Sequence, residues 1–215
     1  MQASRIRDGV RAALPLALAP ILFGASFGLL AVDAGMGWAG AVVMSATTFA
    51  GSAQFAAASI LDSGGGVAAA IVAAVLLNAR YVPLSLSVAS IFPGSRQRRL
   101  AESQLIVDES WALSGRTGRF EYAVLVGAGL LFYVLWVVGT ALGTVVGDLL
   151  DPEAIGLDAA FPALFLALLA PYLRSRRALA TTLVAGAITL ALLPFTPPGV
   201  PIVAASLACL IGLRR

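Results

Sequence analysis

Apolar residues fill seven runs of this chain, at about 12–32, 38–61, 66–91, 121–147, 157–173, 178–194 and 199–213. A helix rising 1.5 Å per residue needs about 20 apolar residues to cross a hydrocarbon layer ~30 Å thick, and most of the runs reach or approach that length. The pattern predicts an all-α, polytopic membrane bundle. No polar stretch between the runs exceeds about thirty residues, so residues 1–215 are expected to form one integral-membrane domain with no soluble one.

The segments between the runs set a topology. Basic residues cluster at Arg5, Arg7 and Arg11, at Arg96, Arg98, Arg99, Arg116 and Arg119, at Arg174, Arg176 and Arg177, and at Arg214 and Arg215. The link 148–158 carries Asp148, Asp151, Glu153 and Asp158 with no base. Because Arg and Lys are retained on the cytoplasmic side, all four basic segments are expected inside, with both termini cytoplasmic. The four C-terminal runs then alternate correctly. The three runs before residue 92 do not, since both flanking basic segments lie inside only if the number of full crossings is even. One run should enter and leave on the same side.

The run 38–61 is the candidate, because Ser45-Ala46-Thr47-Thr48 and then Gly51-Ser52-Ala53-Gln54 interrupt it with small and polar residues. Non-helical backbone at membrane depth is tolerated where it lines a cavity. The expected architecture is about six full crossings plus one broken, re-entrant helix pair, with full crossing by 38–61 as the alternative. Thirteen of the 14 basic residues then face the cytoplasm, and Arg80 is the exception.

Composition narrows the chemistry. Sixty per cent of the 215 residues are hydrophobic and 12% are charged. The net charge of +3 sits in short clusters between apolar runs and reads as topogenic rather than as a nucleic-acid surface. Cys209 is the lone cysteine, so no intrachain disulfide forms. The chain has no histidine, which removes a Ser-His-Asp relay for Gly24-Ala25-Ser26-Phe27-Gly28, a match to the nucleophile-elbow pattern. Two glycines four apart on an apolar helix are better read as a close-packing face. No Walker loop, zinc pair or dinucleotide fingerprint is present. No catalytic residue, metal site or cofactor is expected. Arg5, Arg7 and Arg11 before Ala17-Leu18-Ala19 resemble a signal peptide, but Pro20 follows the cleavage-like site and the apolar run continues, so an uncleaved first helix over 12–32 is expected.

The residues that remain are those a membrane interior does not tolerate without a reason. Arg80, in VLLNARYVPLS, lies roughly 20 Å into its run, close to mid-bilayer, where an arginine costs at least ~2.5 kcal/mol unless solvated or paired. Asn78 and Tyr81 share its helical turn, and Pro83 cannot donate to the Ala79 carbonyl. Arg80 could present a planar fork to a carboxylate or brace helices as a buried ion pair. Gly51, Ser52 and Gln54 could start a helix whose free N–H groups hold a carboxylate, or merely kink one. Asp108 and Glu109, the only adjacent acids in the chain, sit among Leu105, Ile106, Trp111 and Leu113, which could fold into the inner mouth of the bundle. Either acid could pair with Arg80 or carry a proton at a gate.

These pieces resemble, in order, the AzlC family of branched-chain amino-acid exporters. The matching stretches are Pro20-Ile21-Leu22-Phe23-Gly24 with Phe27-Gly28, Phe49-Ala50-Gly51-Ser52-Ala53-Gln54-Phe55, Asn78-Ala79-Arg80-Tyr81, Asp108-Glu109-Ser110-Trp111-Ala112 and Phe161-Pro162-Ala163-Leu164-Phe165. Val107 departs from the threonine the family often has before Asp-Glu. The resemblance implies a secondary transporter in the bacterial inner membrane that exports leucine, isoleucine, valine and related neutral amino acids. It also implies a small four-helix AzlD-type membrane partner and no catalytic residue. A zwitterion with an aliphatic side chain needs an anion site, a cation site and an apolar wall. Gly51, Ser52, Gln54, Asn78, Arg80 and Tyr81 are the candidate substrate residues, with Asp108 and Glu109 for coupling or gating. The lipid bilayer is the other partner, no nucleic acid is expected, and a homo-oligomer is left open. The competing classes are a structural subunit whose partner carries the site and a membrane-embedded lipid-modifying enzyme.

Overall fold

A computed structural model describes residues 2–115, 119–147, 166, 173, 175–196 and 200–209. The run 157–173, the acidic link before it, and the Phe161-Pro162 motif lie outside the described residues. Among those described, the protein is helical with no strand. The helices are α1 (Gln2–Ala13), α2 (Leu18–Asp33), α3 (Gly37–Thr48), α4 (Gly51–Asp62), α5 (Val67–Asn78), α6 (Tyr81–Val88), α7 (Arg96–Ser103), α8 (Asp108–Ser114), α9 (Tyr122–Gly147), α10 (Arg176–Leu192) and α11 (Val200–Ser206).

Two helical stretches, Val67–Ile91 and Tyr122–Val145, are long and apolar enough to cross a membrane, and a third crossing arises if the bent segment Ile6–Leu16 with Leu18–Asp33 is one span. The count of six is not reached among the described residues. The bend also changes the first run, which was expected as one helix over 12–32. Instead α1 passes through a 3-10 turn at Leu14–Leu16 and enters α2 at an angle of 66°. Pro15 and Pro20 explain the corner, because neither supplies an N–H and each ring crowds the carbonyl four residues earlier.

Helix α9 organises the bundle, and glycines bring α2 onto it. A Cβ at Gly24 would stand 2.5 Å from the Trp136 carbonyl oxygen, and Gly28, Gly139 and Gly143 abut the carbonyls of Thr140, Ile21 and Ala25 more tightly still. Any larger side chain at these positions pushes the backbones apart, so Gly24-Ala25-Ser26-Phe27-Gly28 is a packing face, as small-xxx-small faces are in membranes. Ile21 meets Gly139 and Ala25 meets Gly143, so the two chains advance together and α2 runs parallel to α9. Parallel helices packed along their length cross a bilayer in the same sense. The chain between them must then make an odd number of net crossings.

Between α2 and α9 the run 38–61 is broken. Helix α3 ends at Phe49, whose φ of 41° places it in the left-handed region, a conformation costing a non-glycine residue roughly 1–2 kcal/mol. Burial of the Phe49 side chain, with its ring edge-on to Tyr133 at 5.2 Å, holds it there. Helix α4 restarts at Gly51. Across the break, Gln54 Nε2 donates to Ser45 Oγ at 2.8 Å. In a continuous helix those residues would be about 13 Å apart along the axis, so the chain bends at Phe49–Ala50. The level is set by Tyr133 and Trp136, near the middle of α9.

Helices α4 and α5 form an antiparallel pair joined at Ser63–Gly66, where Gly64 takes a φ of +78°. Ala57, Ile60, Ala70 and Ala73 make one buried cluster between them. The chain continues through Ala79–Arg80 into α6, and Val67–Ile91 behaves as one span. Val67, Ile71 and Val75 point outward along it, the surface expected against lipid tails.

Candidate functional site

Arg80 sits at the joint between α5 and α6. Pro83 has no N–H to donate to the Ala79 carbonyl, but the carbonyl is not left free, because Val82 N–H reaches it at 3.1 Å in a tighter turn. The Arg80 Nη2 lies 3.1 Å from Asp108 Oδ2 and donates a long 3.4 Å bond to Tyr81 Oη. Its guanidinium carbon stands 5.1 Å from the Tyr81 ring centroid, within range of a cation–π contact. Both acid and base are open on one side, at 42% and 37% side-chain exposure for Arg80 and Asp108. All of these polar contacts run through a single nitrogen of a fork built for two-point binding.

Asp108 reaches this depth because the segment before α8 enters the bundle. Ile106 and Val107 are buried, and Leu105 packs over Gly129 of α9. Leu113 is also buried, and Trp111 leans on the same interior while its Nε1 donates to Ser87 Oγ at 2.8 Å. Gln104 Nε2 donates 2.8 Å to the Thr47 carbonyl at the end of α3, so this segment touches the break itself. Val107 precedes the first turn of α8 and has no oxygen to cap it. Ser110 Oγ instead accepts the Val107 N–H at 3.0 Å and donates to the Leu105 carbonyl at 2.7 Å. Glu109 shows surface to solvent but is ringed by protein atoms. That enclosure is the main reason its carboxyl titrates above the usual carboxylate range. Its own backbone N–H and Arg80 pull the other way, and like-charged Asp108 adds to the rise.

The predicted residues separate into two groups. Asn78, Arg80, Tyr81, Asp108 and Glu109 come together, and Asn78 and Tyr81 line a shallow groove of about 350 Å³ with Val82, Ser85 and Leu86. Gln54 is fully buried and both ends of its amide are engaged: Oε1 accepts the Ala50 N–H at 3.2 Å and Nε2 donates to Ser45. Ser45 Oγ also bonds Thr140 Oγ1 at 2.8 Å and accepts from Trp136 Nε1 at 3.2 Å. Gly51 faces the Trp136 ring, where a Cβ would come 2.9 Å from Cη2. Ser45, Trp136 and Thr140 were not legible as site residues. Their only signal was polarity spaced one turn apart on apolar helices.

Among the described residues three buried side-chain oxygens have no hydrogen-bond partner: Ser52 Oγ, Asn78 Oδ1 and Glu102 Oε2. Two of the three belong to the predicted substrate set. No group of three or more His, Cys, Asp or Glu suited to a metal occurs among the described residues.

A family model described as AzlC protein matches residues 15–150, more than half of the chain. The chain belongs to the AzlC family. Two of the relatives it matches are membrane proteins by name. It is 32% identical over 212 residues to an uncharacterized membrane protein of Archaeoglobus fulgidus, covering 96% of this chain and 93% of that one. An uncharacterized membrane protein of Helicobacter pylori is 26% identical over 166 residues, 75% of this chain and 73% of its own. The "Branched-chain amino acid transport protein AzlC" of Bacillus subtilis is 27% identical over 175 residues, 76% of this chain and 67% of that protein. That last relative links the family to amino-acid transport. No solved structure matches the chain.

Proposed function

We propose that this AzlC-family chain is the large subunit of a secondary transporter that exports leucine, isoleucine, valine and related neutral amino acids from the cytoplasm, with a small AzlD-type membrane partner. The observation that carries the proposal is the half-open Arg80–Asp108 pair in the middle of a span, beside a groove and near a broken helix. An arginine held by one nitrogen to a solvent-accessible acid is already ionised, desolvated on one side and geometrically incomplete. A substrate carboxylate can displace Asp108 and take two donors of the fork. The released Asp108, with Glu109 beside it, then faces the substrate ammonium, and the outward groove residues Val82 and Leu86 supply apolar surface for an aliphatic side chain.

The re-entrant reading of 38–61 is supported by two independent features, the Gln54–Ser45 bond across the break and the parallel course of α2 and α9. It places Asp33 and Asp62 on the same side of the membrane. Cysteine substitution at each, labelled with an impermeant maleimide, checks this, and labelling from opposite sides would overturn it.

A structural-subunit reading draws on the same ion pair, since Arg80 and Asp108 also tie α5–α6 to α8. The deciding experiment is efflux of radiolabelled leucine from cells producing this chain with and without a small AzlD-type partner. Leucine efflux that depends on this chain and is lost in Arg80→Leu at unchanged membrane abundance supports the transport reading. Full efflux by Arg80→Leu would assign transport elsewhere.

A further inference from the structure

Ser52 and Asn78 lie on different helices, and their register decides what they can do together. Helices α4 (Gly51–Asp62) and α5 (Val67–Asn78) are antiparallel, equal in length and joined by four residues, with Ala57, Ile60, Ala70 and Ala73 clustered between them. Positions equally far from the join lie at about one level, so Ser52, near the start of α4, comes level with the end of α5 at Asn78. Each carries a buried oxygen without a partner, and a buried polar group left unpaired is destabilising unless a ligand supplies the missing hydrogen bond. Two such atoms at one level, on helices whose axes typically lie about 8–10 Å apart, bracket a small bipolar ligand. Asn78 lines the groove and stands two residues from Arg80, and Ser52 directly follows Gly51.

The polarity of the bracket follows from what surrounds each oxygen. Ser52 is in the first turn of α4, where backbone N–H groups have no intrahelical partner and carry partial positive charge. Its hydroxyl can donate, so this end suits an anion. The Asn78 Oδ1 can only accept, and two carboxyl groups, Asp108 and Glu109, stand against the single guanidinium of Arg80 nearby. That end suits a cationic donor.

Resting on the transport reading above, we infer that Ser52 Oγ donates to the carboxylate of the amino acid and Asn78 Oδ1 accepts from its ammonium, so that the two orphaned oxygens set the orientation of the zwitterion. Arg80 completes the carboxylate end. Recognition of both ends makes the site prefer α-amino acids to their deaminated and decarboxylated relatives, which each keep only one of the two contacts.

The test uses membranes carrying the full-length chain, with bound radiolabelled leucine displaced by three unlabelled probes. These are leucine, 4-methyl-2-oxopentanoate, which keeps only the carboxylate, and 3-methylbutylamine, which keeps only the ammonium. In the parent both one-ended probes compete, each more weakly than leucine. Asn78→Leu weakens leucine and the amine about tenfold or more, the scale of a lost hydrogen bond to a charged group, and leaves the oxo acid unchanged. Ser52→Ala does the reverse, weakening leucine and the oxo acid but not the amine. If Asn78→Leu fails to reach the membrane, Asn78→Ser, which keeps a shorter oxygen, takes its place with a smaller loss of the same pattern. Equal weakening of all three probes, failure of either one-ended probe to compete, or a change confined to a sodium requirement would overturn the assignment. Absence of any leucine binding by the parent would instead overturn the transport reading beneath it.

Discussion

Two polar clusters lie close to the middle of this bundle, and they are finished to different degrees. Around the break, Gln54, Ser45, Thr140 and Trp136 are buried, and their side-chain donors and acceptors are spent on each other and on the Ala50 N–H. Around the α5–α6 joint, Arg80 and Asp108 are partly exposed and tied through one nitrogen, while the Asn78 oxygen has no partner. In a low-dielectric interior a satisfied network rigidifies the fold, whereas an unsatisfied one stays costly until a ligand completes it. On the transport reading proposed above, the difference separates a brace from a candidate site. It also divides residues that the chain places on either side of the same motif, with Gln54 on the closed side and Ser52 on the open one.

The largest expected effect is on the closed cluster. Gln54→Leu leaves the buried Ala50 N–H without its side-chain acceptor, at about 1–3 kcal/mol, removes one of the three bonds to Ser45 Oγ, and should sharply reduce membrane abundance and melting temperature. A stable Gln54→Leu protein that had lost only leucine binding would move Gln54 to the open side and break the distinction. Next in size is the functional effect on the open cluster. Arg80→Leu should abolish leucine efflux while melting within a few degrees of the parent, because the Asp108 it leaves unpaired is already partly exposed and such pairs contribute only ~0–1 kcal/mol. Arg80→Lys keeps the charge but not the planar fork, so efflux should fall by about tenfold with stability unchanged. Joint loss of stability and efflux in both variants would make this pair a brace too.

A smaller effect concerns pH. Glu109 holds its proton to a higher pH than an ordinary glutamate, chiefly through enclosure by protein, so it is neutral over a window in which an exposed carboxylate is charged. As pH rises through that window it ionises, and a proton-coupled efflux that uses it should change there. An Asp108→Asn, Glu109→Gln double variant should flatten the efflux–pH profile. An unaltered profile at normal abundance would remove both acids as proton carriers. The smallest change is Val107→Thr. A threonine hydroxyl at that position can accept from the first turn of α8, which valine cannot, and should raise stability by roughly 1 kcal/mol without altering leucine affinity.

Much of this arrangement could be read from residue order. A lone arginine in a 26-residue apolar run, adjacent acids where a basic segment between runs turns apolar, and glycines four apart on an apolar helix are each improbable in a bilayer without a partner. Their meaning is local, and Arg80, Asp108 and Gly28 could be singled out unaided. The break at 38–61 was likewise visible, because polar side chains and glycine accumulate there. What could not be read was its hinge. Phe49 is an apolar residue that no propensity assigns to a left-handed turn, and it adopts one because Tyr133, eighty-four residues later, receives its ring.

The sequence by itself determined the helical class, the membrane setting and the identity of the charged residues, because hydrocarbon punishes every exception locally and each exception is therefore informative. Only the tertiary structure decided which polar residues close on one another and which remain open. Gln54 and Ser52 are two residues apart and equally polar on paper. A helix turns about 100° per residue, so the first points into Ser45 and the protein interior while the oxygen of the second finds no partner. The same holds for direction. Basic clusters demanded an even count before residue 92, but it is the contact of Ile21 with Gly139 and of Ala25 with Gly143, between segments more than a hundred residues apart, that makes α2 and α9 parallel. Such facts depend on where distant segments meet, and no pattern along one segment contains them.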